Sequence, residues 1–402
     1  MRTFLLSELF YPVETSTGYF MTKIAEKLDE QSPTGINVIC GPEDYGGNEL
    51  LASKGIRSSV KVFRVKIPSL NKNKIMQRVL RMVILSFSMG WKLFRMAGRK
   101  DRVFVVTNPA PILIIVAIVK KLLRFNLIII VHDVFPENML SGKMIKAGSL
   151  NYKVLRAVFN FAYRQADKVV SVGEDMNELI MQKTSFSIEK TAVIRNWADC
   201  DEIYPLKLSG LEMANYYGIP ELNGKLILQF AGNLGRLQAL QEFLKVYKAA
   251  DNSELALVFI GDGALKPELM QQVQTDQISS VYFLPSKPRG EQNMFLNASH
   301  IGLVSLNEGM FGLGVPSKSY NIWAAGKPIL FVGDQGSEIA RNITDYDIGW
   351  AFSWQEKAQL RAFLQKLKYK DLALVSAVGA RSREIALVEF DREVSLKRFV
   401  NV

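Results

Sequence analysis

A glycine-rich run, Gly309-Met310-Phe311-Gly312-Leu313-Gly314, ends in Val315-Pro316-Ser317-Lys318 and leads into a helical pattern. Ser317 is expected to cap that helix, bringing free N–H groups, a hydroxyl and the Lys318 ammonium to one point. That is equipment for a diphosphate; the competing reading is a mobile surface loop. Two earlier turns share its character. Leu-Ile-Leu-Gln-Phe runs into Ala231-Gly232-Asn233-Leu234-Gly235-Arg236, and Leu-Ala-Leu-Val-Phe-Ile runs into Gly261-Asp262-Gly263. Glycines there let backbone approach a ligand, and Arg236 stands where it can neutralise a phosphate. Each turn also fits an ordinary strand–helix connection.

In the first half, the run Leu-Ile-Ile-Ile-Val ends in His132-Asp133-Val134-Phe135-Pro136-Glu137. A histidine at the carboxyl end of a central strand sits where open α/β sheets bind ligands, with a satisfied structural histidine as the alternative. His300 opens a strand at the opposite end and reads as structural. Asp199-Cys200-Asp201 and Asp345-Tyr346-Asp347 have spacing that can hold a metal–diphosphate. The first lies in an interdomain linker and the second in a polar turn, so both read as solvated acids. Two histidines and two cysteines, Cys40 and Cys200, exclude a Cys/His metal cluster and a disulfide scaffold. No Walker loop, nucleophile elbow or zinc motif is present. No metal or other cofactor is expected.

These groups need elements to position them. β-rich runs are read near 2–6, 36–40, 60–65, 103–106, 127–131, 168–172 and 191–195, then near 226–231, 255–260, 281–284, 301–305 and 328–332. Helical patterns lie between them. Such alternation predicts parallel α/β sheets. The stretch 197–222, with Pro205, Gly210, Gly218 and Pro220, lacks a strong strand and divides the chain. The expected fold is two doubly wound, Rossmann-like domains, 1–200 and 201–385, facing each other across a cleft that would hold the active site. Residues 386–402 are expected to form a helix packing back towards the first domain.

The net charge of +11 in 402 residues is not spread evenly. Residues 61–102 hold twelve basic residues and one acid, so the remainder is neutral. Within that stretch Lys74, Arg78, Arg81, Lys92, Arg95 and Arg99 recur on one stripe of a helix predicted over 74–99. Trp91 and many aliphatic residues occupy its other faces. A basic amphipathic helix of this kind suits an anionic membrane surface better than nucleic acid, for which no recognition module is evident. The alternative is a core helix with a solvated basic face. The 48% hydrophobic content excludes disorder. The longest apolar run, Ala110–Val119, is too short to span a bilayer. The N-terminal apolar stretch is too short for a signal-peptide core, and the few cysteines suit a reducing cytosol.

Together these segments resemble the GT-B glycosyltransferases of family 4, over essentially the whole chain. The resemblance rests on Pro-Ser-Lys-x-Tyr-Asn…Ala-Ala-Gly-Lys-Pro at 316–328, Gly-Asn-Leu-Gly-Arg at 232–236, Gly-Asp-Gly at 261–263, His-Asp-Val-Phe-Pro-Glu at 132–137 and Asn196-Trp197-Ala198-Asp199. It is strongest to the bacterial surface-polysaccharide branch, near the deoxyaminosugar (fucosamine-type) transferases. It implies a retaining, metal-independent hexosyltransferase acting in O-antigen, capsule or exopolysaccharide synthesis. The donor would be a nucleotide-sugar of UDP type and the acceptor a polyprenyl-diphosphate-linked saccharide. The enzyme would be cytoplasmic and peripheral on the inner face of the membrane. Rival readings are a GT-B sugar-nucleotide epimerase and a basic nucleic-acid-binding protein.

The resemblance also implies roles. Arg236 and Lys318 would stabilise the leaving diphosphate, His132 would face the sugar, and Asp133 would orient it or the acceptor. Glu137 would support that loop. Donor contacts would come from Gly18, Gly232, Asn233, Gly235, Gly261, Asp262, Gly263, Gly314, Val315, Pro316, Ser317, Tyr320, Asn321 and Glu338. Two glutamates usual in the family fall here on Leu313 and Asn321, and a usual lysine on Gln241. Lys318 would then carry that charge alone.

Overall fold

The computed structural model describes every residue except 14, 44–55, 57, 58, 69, 71–74 and 143, together with the side chain of residue 75. The chain divides into two compact units. The first comprises Met1–Arg195 with Gly312–Gly314 and Ser395–Val402; the second comprises Asn196–Phe311 and Val315–Val394.

The first unit holds seven parallel strands: β1 (Thr3–Ser7), β2 (Ile36–Cys40), β3 (Lys61–Arg64), β4 (Arg102–Val106), β5 (Asn126–Val131), β6 (Lys168–Ser171) and β7 (Thr191–Val193). Their order is β3-β2-β1-β4-β5-β6-β7. Helices α1 (Ser16–Glu30), α2 (Ile75–Met96), α3 (Ile112–Leu123), α4 (Glu137–Ser141), α5 (Leu150–Arg164) and α6 (Glu174–Thr184) connect them. β5 is a β-branched run buried along almost its whole length, as a sheet covered on both faces requires. Strand order reverses at β1, so the carboxyl ends of β1 and β4 flank a topological switch point, where such sheets take ligands.

The second unit repeats the plan. Helix α7 (Gly210–Tyr217) precedes β8 (Leu226–Ala231), followed by α8 (Leu240–Ala250), β9 (Leu255–Ile260), α9 (Lys266–Thr275), β10 (Val281–Leu284), α10 (Gln292–Asn297), β11 (Ile301–Ser305), α11 (Lys318–Ala324), β12 (Ile329–Val332), α12 (Glu338–Tyr346), β13 (Gly349–Phe352), α13 (Lys357–Lys366) and α14 (Leu372–Glu389). The helix α15 (Arg392–Val400) follows. Strand order is β10-β9-β8-β11-β12-β13, all parallel. The switch point lies between β8 and β11. It therefore sets the Gly232 turn beside the glycine-rich loop. Phe230, Phe243, Phe259 and Leu330 fill the core beneath it.

The structure corrects several expectations. Residues 197–222 are not all linker: α7 is closed by a capping box in which Ser209 and Glu212 satisfy each other's backbone N–H. Asp199 is not a solvated acid; it is buried and ion-paired with Arg392. Asp347 is exposed and pairs with Arg381. Arg81 leaves the basic stripe: it is buried against Glu8, at the end of β1, as an ion pair. Helical spacing placed it with its basic neighbours, but a buried carboxylate holds a guanidinium far more firmly than water-exposed charge would. Lys92 is half-buried, with its ammonium 5.1 Å from the Phe63 ring centre. Arg78, Arg95 and Arg99 are exposed, as is Trp91, while Lys74 lies outside the described residues.

Candidate active site

In the second unit the two glycine turns interlock. Gly232 N–H donates to the Ile260 carbonyl at 2.9 Å, and Leu234 N–H to the Asp262 carbonyl at 2.9 Å. Gly261 has φ +140°, and a Cβ there would overlap the Gly232 carbonyl oxygen. Gly263 has φ +159° and would collide with the Leu234 carbonyl in the same way. Only glycine fits either position. Asp262 is held by Lys266 at 2.7 Å and by the Ser286 hydroxyl at 2.9 Å, which keep its pKa below the usual carboxylate value.

Asn307, after β11, ties the glycine-rich loop to the first turn: its backbone N–H donates to the Leu237 carbonyl and its side-chain amide to the Arg236 carbonyl, both at 2.9 Å. The Met310 N–H donates to Asp334, after β12, at 3.0 Å. Arg236 itself is exposed, and its guanidinium has no partner among the described residues.

Lys318 completes this group. Its Nζ lies 3.2 Å from the centre of the buried Phe230 ring, and its Cδ would lie 3.9 Å from a Cβ at Gly232. Burial pushes its pKa well below that of an ordinary lysine. A ring face stabilises an ammonium less than a carboxylate or phosphate does. The site is therefore built to gain from an arriving anion. Ser317 does not cap α11 with its side chain. Its backbone is helical (φ −59°, ψ −22°), whereas a capping serine is extended. Tyr320 is fully buried and packs edge-on to Trp323 and Phe390 at 5.8 and 5.2 Å. It thus supports α11 from within and is not placed to touch a donor. Asn321 is half-buried, with its amide unpartnered among the described residues. Glu338 is buried and accepts from Asn342 at 2.8 Å. Val315 and Pro316 are half-exposed along the loop.

In the first unit, Thr107 shapes the end of β5. Its hydroxyl oxygen accepts the N–H groups of His132 and Asp133, each at 3.1 Å. The His132 ring meets Phe20 edge-on at 6.4 Å, and burial pushes its pKa down to about 4. Near neutral pH it is an uncharged imidazole, able to donate and accept a hydrogen bond. Asp133 accepts from Asn138 at 2.8 Å; burial raises its pKa and this bond opposes the rise. Glu137 takes both bonds of the buried Lys183 ammonium at 2.6 Å. Gly18 is needed for the chain itself, because a Cβ there would strike the Val13 carbonyl. A Cβ on Gly314, which groups with this unit, would lie 4.0 Å from the His132 carbonyl. Among the described residues no cluster of acids, histidines or cysteines could hold a metal.

Sequence reasoning missed Thr107, Lys183, Phe230, Asn307 and Asp334. Each stands at or just past a strand or helix end, which was the available signal; their partners are distant in sequence.

One stability prediction arises here. His300 Nδ1 accepts the Ile227 N–H at 2.9 Å, and burial, aided by the Lys327 charge, lowers its pKa to about 3. The unfolded chain therefore binds protons that the folded chain refuses, so this contribution to stability is full above about pH 6.5 and is lost as pH drops towards 3. His132 adds to the same loss. Melting temperature against pH should slope less steeply over that window in His300→Asn, which keeps a neutral acceptor; an identical slope would refute the attribution.

No protein-family model matches the chain. It is 35% identical over 398 residues to a Pseudomonas aeruginosa protein named "Probable glycosyltransferase WbjE", covering 99% of this chain and 96% of that one. Among solved structures, Anabaena HepE in complex with UDP superposes with a TM-score of 0.70 at 16% identity, covering 100% of this chain and 99% of that one. WaaG, a glycosyltransferase involved in lipopolysaccharide biosynthesis, superposes with a TM-score of 0.70 at 13% identity, over 99% and 98%. At those identities the structural likeness speaks to the fold, which is that of the GT-B type.

Proposed function

Because the chain belongs to the glycosyltransferases, in their GT-B form, we propose that it moves a sugar, with retention of configuration, from a UDP-sugar to a polyprenyl-diphosphate-linked saccharide during bacterial surface-polysaccharide synthesis. The observation that carries the donor side is the Lys318 ammonium held against Phe230 beside the Gly232 turn, with Arg236 free nearby. HepE bound to UDP and to UDP-glucose supports a uridine donor. WaaG, involved in lipopolysaccharide biosynthesis, supports the biosynthetic setting, and WbjE supports the glycosyltransferase reading.

In this reading the diphosphate replaces the Phe230 ring as the partner of Lys318, and Arg236 closes on the same charge. As the bond between the anomeric carbon and the phosphate oxygen breaks, the acceptor hydroxyl forms the new bond on the same face. Its proton passes to the departing phosphate. The charge that develops on that phosphate is met by fixed cations and N–H groups, so no metal is needed. Gly232, Asn233, Gly235, Gly261, Asp262, Gly263, Ser317, Asn321 and Glu338 shape the donor pocket. The neutral His132 offers the sugar a hydrogen bond without adding charge, and Asp133 orients that exchange.

Among the described residues no helix is long and apolar enough to cross a membrane. The acceptor would be met at the cytoplasmic face through α2, whose exposed Arg78 and Arg95, with Arg99 just beyond its end, accompany exposed Met76, Leu80, Phe87 and Trp91. The test is nucleotide release. UDP should appear only when both a UDP-sugar and a lipid-linked acceptor are present, with or without EDTA, and the product linkage should keep the donor's anomeric configuration. Release without acceptor, or epimerised donor alone, would refute transfer.

A further inference from the structure

We propose that the bilayer-facing surface is a platform of three parallel-packed helices, α2, α3 and α5, binding anionic lipid through all three and not through α2 alone. The proposal rests on the membrane-acceptor reading above and extends it to elements that carry none of the basic stripe.

The three helices follow β3, β4 and β5. Right-handed crossovers in one direction along the sheet put them on the same face, side by side. α2 and α3 are pressed together at Gly90, where a Cβ would overlap the Ile115 side chain. α3 and α5 are linked by Lys121, whose ammonium lies 4.7 Å from the Phe161 ring centre. The platform is thus a packed layer with one outer surface.

That surface combines two features. First, none of the three helices contains an aspartate or glutamate. Arg78, Arg95, Lys121, Lys153, Arg156 and Arg164 are exposed on them. Lys120 is occupied by Asp167, just beyond α5. Second, large apolar side chains stand in water at helical spacing on each: Phe87 at 63% and Trp91 at 62% exposure, Leu122 at 66%, and Leu150 at 75% with Val154 at 53%. Trp91 stacks on Phe94 at 5.7 Å, the flat amphipathic surface favoured at lipid headgroups.

Acid-free basic charge mixed with exposed apolar groups selects the occupant. A second copy of this chain would set basic surface against basic surface with no acid to pair it. A nucleic acid would use the cations and leave Leu122, Leu150 and Trp91 in water. An anionic bilayer takes both: headgroups meet the cations, and apolar side chains enter the acyl boundary.

The experiment is sedimentation of the full chain with vesicles of phosphatidylcholine alone or mixed with phosphatidylglycerol. Three variant sets are compared: Phe87→Asp with Trp91→Asp, Leu122→Asp, and Leu150→Asp with Val154→Asp. All replaced side chains are exposed, so circular dichroism and UDP-sugar binding should stay as in the parent. Each set should lower partitioning onto the anionic vesicles by roughly tenfold or more, and raised salt should lower it further. If the α2 set falls while the α3 and α5 sets bind like the parent, the platform is overturned and the membrane-acceptor reading stands. If the parent binds neither vesicle, both fall. A concentration-dependent dimer that Leu122→Asp abolishes would assign the surface to self-association and overturn the proposal.

Discussion

Lys318→Ala is expected to lower kcat by roughly 10²- to 10³-fold, the loss typical when one charge-stabilising group is removed from a developing anion. The Nζ sits on the Phe230 ring in the free protein, and its depressed pKa records how little stabilises its charge there. The ground state thus gains modestly from the cation, and the departing diphosphate gains most. The effect should therefore fall on kcat more than on KM. Folding should survive, because removing a desolvated ammonium relieves the burial that depresses it. Arg236→Ala should lose activity by a smaller factor, since that side chain is exposed and must be ordered by the ligand. Initial rates with saturating acceptor, read beside a thermal melt, check both. Full activity of the two variants would remove the donor assignment.

The second large effect concerns the backbone. Gly261→Ala should destabilise the second unit by roughly 2–4 kcal/mol and abolish donor binding. Two costs add. The φ of +140° is foreign to alanine, and the new methyl would meet the Gly232 carbonyl. Neither turn can retreat easily, since Gly232 N–H is tied to Ile260 and Leu234 N–H to Asp262. The damage therefore reaches Gly232 and, beside it, Lys318. Calorimetry and UDP titration would show both losses. A variant that melts like the parent and binds UDP would show that the turns are not interlocked in solution.

The buried parallel strands were legible in the sequence because a strand covered on both faces must be a continuous apolar run; β2, β8 and β9 were read at the very residues observed. β13 was not, because Gly349–Phe352 opens on a glycine, carries no β-branched residue and is half-exposed throughout. α7 hid among turn-forming residues, although Ser209 and Glu212 carried its capping signature. The site was legible at its glycines, whose spacing follows from local geometry. What lay beneath them was not. Nothing near Lys318 in the sequence points to Phe230, and nothing near Arg81 points to Glu8. Helical periodicity gives a residue's angle about the axis. It does not say whether a buried charge waits on that side. Ser317 shows the same limit: its residue type suits a cap, and its backbone angles, set by the loop before it, do not.

Phe390 has a bearing on how the protein is made. It is fully buried, stacked on Trp323 at 5.1 Å and edge-on to Tyr320, the inner face of the helix that presents Lys318. Just past it, Arg392 forms an ion pair with buried Asp199, and the Ala198 N–H bonds to the Phe390 carbonyl. A nascent chain can build the sheet of the second unit early. It cannot seat α11 until residues some seventy positions later have been synthesised, a contact of high loop-closure cost. The ribosome would thus deliver α11 without its buried support, and Lys318 would be held in place only once Phe390 has emerged and packed beneath the helix.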